Sequence, residues 1–167
     1  MWLDGRNVDF SEYVAARRAS LVRAVVLLGC PVVDAEDIVQ TALLRCHRSW
    51  RRVQKADQPE AYVYRVVVNT LRDARARRWQ GEVPTDDLPE QAVDAADDHL
   101  TGLDVRRALD SMRHDHREVL VLRFFADLSE ADTAKALGIP AGTAKSRTAR
   151  ALAALSQHPL LRSPDAH

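Results

Sequence analysis

The chain contains 167 residues, enough for one large domain or two small ones. Aromatic residues make up only 5% of the sequence, so a core must be built mainly from Leu, Val and Ala, which favours packed helices over a β-sandwich. The formal net charge is zero, but residues 1–79 carry a net charge of +5, residues 80–104 of −8 and residues 105–167 of +3. Charge asymmetry of this kind is typical of nucleic-acid-binding proteins, although a solvated acidic linker explains the middle segment on charge alone.

The sequence also excludes several classes of protein. Cys30 and Cys46 lack the spacing of paired metal ligands and no Cys/His cluster surrounds them, so we interpret both as small buried hydrophobes. There is no Gly-rich phosphate loop and no nucleophile motif, so we expect no cofactor, no metal and no enzyme activity. The N-terminus has no signal pattern, and the longest apolar stretch, near residues 25–28, is too short to span a bilayer. We therefore expect a cytoplasmic protein without membrane insertion.

The first half of the chain predicts three helices. The first covers residues 10–28, with Asp9 as its N-cap, and the second covers residues 34–50. The basic segment 51–57 is predicted to be a loop, and the third helix covers residues 59–79 because proline suits a first turn. These helices predict a first domain over residues 8–79, a bundle of three to four helices.

The second half predicts a linker and another helical domain. Residues 80–101 contain a glycine, two prolines and many carboxylates but no stripe of apolar residues at helical spacing. We therefore interpret them as a flexible acidic linker. A four-helix domain is predicted over residues 102–157, followed by a flexible tail over residues 158–167. Its helices are expected near residues 103–112, 117–125, 129–137 and 141–155. The predicted fold class is therefore all-α, with two small domains.

The strongest local pattern lies in residues 128–150. A short helix, a tight turn at Gly138 and a longer helix make a helix-turn-helix pattern. The apolar residues that would lock the two helices together are Ala134, Leu137, Ile139 and Ala144. Arg can read guanine edges, and Lys and Ser can hold phosphates, when such a helix enters a major groove. The longer helix carries the donors Thr143, Lys145, Ser146, Arg147 and Arg150. An ordinary helical hairpin with a solvated basic face is the alternative.

These motifs resemble the sigma-70 family of RNA polymerase sigma factors. Residues 128–151 are similar to region 4, and residues 112–123 to the helix that precedes it. In the first half, residues 35–40 resemble region 2.2 and residues 50–78 resemble regions 2.3 and 2.4. No segment resembles regions 1.1 or 3, which is typical of the extracytoplasmic-function (ECF) group, and the SigE-like subgroup is the nearest resemblance. The resemblance implies a protein that binds polymerase core and directs promoter-specific initiation.

The resemblance also implies site residues. Asp37 and Gln40, which lie one turn apart, match positions that face the β′ clamp helices of core polymerase. The third helix would contact the −10 element, with a flipped base housed near residues 53–58 and with Tyr62, Tyr64 and Trp79 as stacking candidates. Its predicted −10 contacts are Arg65, Asn69, Arg72, Arg75, Arg77, Arg78 and Trp79. The five donors of the helix-turn-helix would contact the −35 element, and the second domain would also face the β flap. An anti-sigma factor is a further partner that the resemblance admits.

Three expectations accompany this interpretation. The acidic linker would mimic nucleic-acid charge in a basic channel of the polymerase. Thr133 and Thr148 stand where the family commonly has aliphatic residues, and Asp132, Ala144 and Ala149 stand where larger side chains are common, so we expect a looser −35 module. The alternative function is a stand-alone helix-turn-helix regulator, which would bind free duplex as a dimer. That alternative explains residues 128–155 but not Asp37, Gln40 or the basic third helix.

Overall fold

The computed structural model describes residues 8–81, called here the first unit, and residues 100–161, called the second unit. Within these two ranges the chain forms helices and no strand, so the predicted all-α fold class is confirmed. Most of the predicted linker, residues 82–99, and the end of the predicted tail lie outside the described residues. The α-helices are α1 Phe10–Leu27, α2 Val32–Arg48, α3 Trp50–Lys55, α4 Pro59–Gly81, α5 Leu100–Ser111, α6 His114–Leu120, α7 Glu130–Leu137 and α8 Ala141–Ser156.

The boundaries of α1 and α2 follow from their flanking residues. Asp9 is the N-cap of α1, as predicted, and its carboxylate accepts a hydrogen bond from the Ser11 backbone N–H at 3.3 Å. Gly29 follows the helix with φ +106°, a left-handed conformation that favours glycine. Pro31 then occupies the N-cap position of α2 with φ −56°, so α2 begins at Val32, earlier than predicted.

The predicted loop over residues 51–57 is wrong, because α3 occupies most of it. The Trp50 Nε1–H and the Gln54 amide both donate to the carbonyl of Val8, at 3.1 and 2.7 Å. Val53 is the one fully buried residue of this short helix. Tertiary contacts therefore hold α3 in place, and a stretch with so little apolar periodicity could not be predicted as a helix from sequence alone.

The helix-turn-helix forms as predicted in the second unit. The Ser129 hydroxyl caps α7 by accepting from the Asp132 N–H at 3.0 Å, and Gly138 ends α7 with φ +67°. Ala134, Leu137 and Ala144 are buried between the two helices, and Ile139 packs partly buried against the core. Before α7, the chain continues from α6 into a π-helical turn, Val121–Phe125.

The two units pack against each other. The first helix of the helix-turn-helix, α7, packs against α4 of the first unit as well as against α8, and the π-helical turn packs against α1. Leu28 and Val67 of the first unit belong to the same buried apolar cluster as Leu122 and Leu137 of the second. One element, α7, therefore contacts both of the basic helices that the sequence assigns to DNA.

Candidate nucleic-acid interface

The exposed side of α2 carries the two residues predicted to bind polymerase. Asp37 and Gln40 are exposed, while the opposite side of the helix is buried in the first unit. The structure adds two exposed apolar residues that the sequence analysis missed, Val33 and Leu44, whose side chains are 63% and 54% exposed. The spacing of four, three and four residues from Val33 to Leu44 places all four on one side of the helix. Val33 and Leu44 therefore extend the exposed stripe by one turn at each end.

On α4, three predicted −10 residues share one side of the helix. Arg65, Asn69 and Arg72 are separated by four and three residues, and all three are exposed. Beside them, the Asp73 carboxylate receives the Arg45 guanidinium of α2 at 3.0 Å. The structure therefore brings two arginines and one amide together in a strip that could follow a DNA backbone.

The remaining α4 arginines point in other directions. The Arg75 guanidinium donates to the Leu28 carbonyl at 2.8 Å, and Arg78 pairs with Asp34 at the start of α2. Burial lowers the pKa of Arg75, whereas the nearby Glu118 carboxylate acts in the opposite direction. Arg77 is exposed. The side chain of Trp79 lies outside the described residues.

Two of the three predicted stacking residues, Tyr62 and Tyr64, belong to the core or lie against it. Tyr64 is only 4% exposed, and burial raises its pKa to about 12, so it belongs to the core. Tyr62 is half-buried against the same core. Aromatic residues in a helix are more often core than ligand contacts, and the burial of these two tyrosines agrees with that.

On α8, the predicted −35 residues are presented to solvent with few internal contacts. Lys145, Ser146 and Arg150 are exposed, and Thr143 and Arg147 are half-buried. The spacing of three and four residues places four of these on one side, with Lys145 beside them. Within the second unit, the Arg147 Nε lies 4.0 Å from the Asp115 carboxylate. Three of the five predicted donors are therefore exposed on α8, and a fourth, Arg147, lies near a carboxylate of its own unit.

Contacts across the two units involve residues that sequence reasoning did not single out. The Glu118 carboxylate lies 3.1 Å from the Arg72 guanidinium and 2.7 Å from His114 Nε2. Arg75 contacts His114 Nε2 at 3.1 Å, and Arg117 donates to the Leu27 carbonyl at the end of α1. The Glu118–His114 pair lies within α6, but the other three contacts join residues far apart in sequence, so no local pattern could have indicated them.

Cys30 and Cys46 are both buried, as predicted. Burial raises the pKa of the Cys30 thiol to about 11 and that of Cys46 to about 12. Both residues therefore stay as protonated thiols at neutral pH, which fits their interpretation as small hydrophobes rather than reactive groups.

Family comparisons account for both units. The family model for sigma-70 region 2 matches residues 5–81, and the model for sigma-70 region 4 matches residues 102–155. The chain belongs to the sigma-70 family. It is 37% identical over 163 residues to the RNA polymerase sigma-E factor of Streptomyces coelicolor, which covers 97% of this chain and 92% of the relative. It is 32% identical over 155 residues to the ECF RNA polymerase sigma factor SigM of Mycobacterium tuberculosis, covering 92% of this chain and 78% of SigM.

A solved structure supports the fold. The sigma factor RpoE of Bartonella quintana, solved in complex with the anti-sigma factor NepR, superposes with a TM-score of 0.73 at 24% identity, covering 92% of this chain and 96% of that one. The chain is an ECF sigma factor, a protein that binds polymerase core and promoter DNA to start transcription. A stand-alone regulator would account for the second match only. No helix in the described part of the chain is long and apolar enough to cross a membrane.

Proposed function

We propose that this sigma factor works in the cytoplasm, without enzyme activity of its own, through three separate helices. In this proposal α2 binds the β′ clamp helices, α4 binds the −10 element and α8 binds the −35 element. The observation that carries it is that each helix buries one side in its own unit and presents polar residues of the predicted kind on the other.

Polymerase binding is assigned to the exposed side of α2. Asp37 and Gln40 supply the polar contacts, and Val33 and Leu44 supply apolar area at either end of the same stripe. Protein interfaces commonly combine a few buried anchors with a polar pair that sets orientation. The buried Ile38 and Val39 fix the helix in its unit, so the stripe is presented rigidly.

Promoter binding is assigned to α4 and α8. The strip of Arg65, Asn69 and Arg72 is suited to phosphates and to one base edge of the −10 element. On α8, Arg147 and Arg150 share a side with donors from the first turn, which suits a major groove at the −35 element. Phosphate contacts supply most of the affinity, and base contacts supply the sequence preference.

Two further partners belong to this proposal. An anti-sigma factor is proposed because the similar Bartonella quintana chain was solved with one. The acidic linker is proposed to influence initiation through its carboxylates. Replacing Asp86, Asp87, Asp94, Asp97 and Asp98 by Asn is expected to alter core binding or initiation, and a linker that acts only as a tether would leave both unchanged.

The deciding experiment is run-off transcription with purified bacterial core polymerase on fragments of the source genome, with and without this protein. Promoter-specific transcripts that depend on the protein are expected, and their start sites define the −10 and −35 sequences. The absence of transcripts, together with specific binding to free duplex, would instead support the stand-alone regulator.

The polymerase surface is tested by a matched pair of substitutions on α2. Asp37→Ala is expected to weaken binding to core polymerase about tenfold, because it removes a central polar contact of the proposed interface. Glu36→Ala is the control, since Glu36 is also exposed but lies outside the stripe. Equal affinities for the two variants, measured by fluorescence titration of labelled core, would contradict the assignment of α2.

A further inference from the structure

The exposed side of α2 has the same order of residue types in both directions along the helix. Four exposed residues form it, called here the α2 stripe: Val33, Asp37, Gln40 and Leu44. Val33 and Leu44 lie equally far from the midpoint of the stripe, and so do Asp37 and Gln40. The α2 stripe therefore has an apolar residue at each end and a polar residue on each side of its midpoint.

The two apolar ends of the α2 stripe are open to solvent on a firmly packed helix. Val33 is 63% exposed and Leu44 is 54% exposed. Ile38, Val39 and Ala42 are buried on the other side of the helix, and α2 packs there against α1 and α4. The two aliphatic side chains are therefore held at a fixed spacing, and a second surface that covered both of them would remove apolar area from water.

A surface with this order of residues is complementary to a second copy of itself. In a twofold dimer each contact occurs twice, because residue i of one copy meets residue j of the other and j meets i. If two α2 helices lie antiparallel about the midpoint of the stripe, Val33 of each copy faces the partner's Leu44, and Asp37 faces the partner's Gln40. Apolar side chains then meet apolar ones, and the Gln40 amide can donate to the Asp37 carboxylate. A parallel pair would instead place the two Asp37 carboxylates opposite each other, where like charges repel.

We propose that the α2 stripe binds a second copy of this chain in antiparallel orientation, and that the resulting dimer covers the surface assigned to polymerase. The covering of that surface rests on the proposed role of α2 in polymerase binding, whereas the self-association does not. A second copy and core polymerase then compete for the same side of α2. Because each binds the monomer, either one reduces the amount of chain that the other can bind.

The dimer is weak for two reasons. Two helices that meet over about three turns bury less area than the roughly 800 Å² per partner of a standard interface. The two Asp37 carboxylates also lie near the twofold axis, where their repulsion opposes association. We therefore expect a dissociation constant above roughly 1 µM, and a partner that buries more area on α2 can displace the second copy.

Sedimentation equilibrium of the full chain without polymerase, over a wide range of concentrations, measures the self-association. Val33→Lys and Leu44→Glu each place a charge against an aliphatic residue of the partner, so each is expected to weaken the dimer about tenfold or more. Combining Val33→Lys with Leu44→Glu places opposite charges against each other at both ends, so the double variant is expected to dimerise more tightly than either single variant, by about threefold or more. Leu152→Glu on α8 is the control, because Leu152 is 42% exposed and lies outside the stripe. Circular dichroism checks that each variant retains its helices.

Three outcomes of the sedimentation experiment would overturn the proposal. The first is a wild-type chain that stays monomeric at every concentration. The second is a dimer that Leu44→Glu weakens no more than Leu152→Glu does, since the contact would then lie elsewhere. The third is a double variant that dimerises no better than the single variants, because Val33 would then not face the partner's Leu44.

Competition with polymerase is measured by energy transfer between two differently labelled copies of the chain. Core polymerase is added at a concentration at which the chain is dimeric, and a loss of energy transfer is expected. Energy transfer that persists while core is bound would overturn the competition. The polymerase role of α2 is judged separately, by the Asp37→Ala titration carried out where the chain is monomeric. A failure there removes that role, whereas the sedimentation result alone decides the self-association.

Discussion

The two proposed DNA-binding helices of this sigma factor differ in what their arginines contact. On α4, Arg72 is bound to Glu118, Arg75 to the Leu28 carbonyl and Arg78 to Asp34. On α8, Lys145 and Arg150 are exposed. A helix whose donors are already paired must exchange partners to bind DNA, whereas a helix whose donors are hydrated loses only water and counterions.

This difference teaches that a basic helix in a sequence is not by itself an available DNA surface. Arg72, Arg75 and Arg78 of α4 make contacts within the folded chain besides their proposed contact with DNA, whereas the exposed α8 cations Lys145 and Arg150 are expected to contribute little to folding. Substitutions of the paired α4 arginines should therefore lower the free energy of unfolding, whereas substitutions of the exposed α8 cations should leave it nearly unchanged. This difference should hold even where both kinds of substitution reduce transcription equally. The predictions below test that separation.

The largest effect is expected at the element that contacts both helices. Leu137 on α7 is 3% exposed, and α7 packs against α4 and α8. Leu137→Ala should lower the free energy of unfolding by about 2–5 kcal/mol, through lost burial and a cavity. Urea denaturation measures this change in the free energy of unfolding. Leu152→Ala is the control, because Leu152 is 42% exposed and should change stability by less than about 0.5 kcal/mol. Equal effects would mean that α7 does not couple the two helices.

A smaller effect distinguishes the two basic helices directly. Arg75→Ala should lower the free energy of unfolding by about 1–2 kcal/mol, because it removes a charged donor from the Leu28 carbonyl. Lys145→Ala on α8 should leave stability within about 0.5 kcal/mol, since Lys145 is exposed. Both should reduce promoter binding in the polymerase complex, and Lys145→Ala should lower the salt dependence of binding by about one unit of slope. If both variants unfold at the same urea concentration, the proposed difference in stability between α4 and α8 substitutions is contradicted.

Much of the fold could be predicted because its signals are local. The apolar stripes of α1, α2 and α4, the Asp9 cap and the glycine turn at Gly138 are all readable from neighbouring residues. The short helix α3 could not be predicted, because its support comes from Trp50 and Gln54 donating to a carbonyl more than 40 residues away.

For the candidate site, the sequence predicted which helices carry the basic residues but not which groups those residues contact. Periodicity and resemblance identified the basic helices, and the structure then divided the α4 arginines between an exposed strip and internal contacts. Arg72 belongs to both groups, because it lies in the exposed strip and also pairs with Glu118 of the second unit. Glu118 and its neighbour Arg117 look in the sequence like ordinary members of the helix before the helix-turn-helix. Their partners on α1 and α4 come from the other unit, and packing between units leaves no periodic pattern in the sequence.

The smallest expected effect concerns two threonines at positions where aliphatic residues were expected. Both are buried, but the Thr148 hydroxyl donates to the Ala144 carbonyl at 2.7 Å, and no hydrogen-bond partner for Thr133 Oγ1 is found in the described part of the chain. Thr133→Val should therefore raise the free energy of unfolding by about 1 kcal/mol, since it removes a buried unpaired hydroxyl and keeps the shape of the side chain. Thr148→Val should give no such gain, because it removes a satisfied hydroxyl. Urea denaturation of the two variants, side by side, makes the comparison. An equal gain from both would show that the missing partner of Thr133 is not what weakens α7, and the looseness expected of the −35 module would then have to come from small side chains such as Ala144.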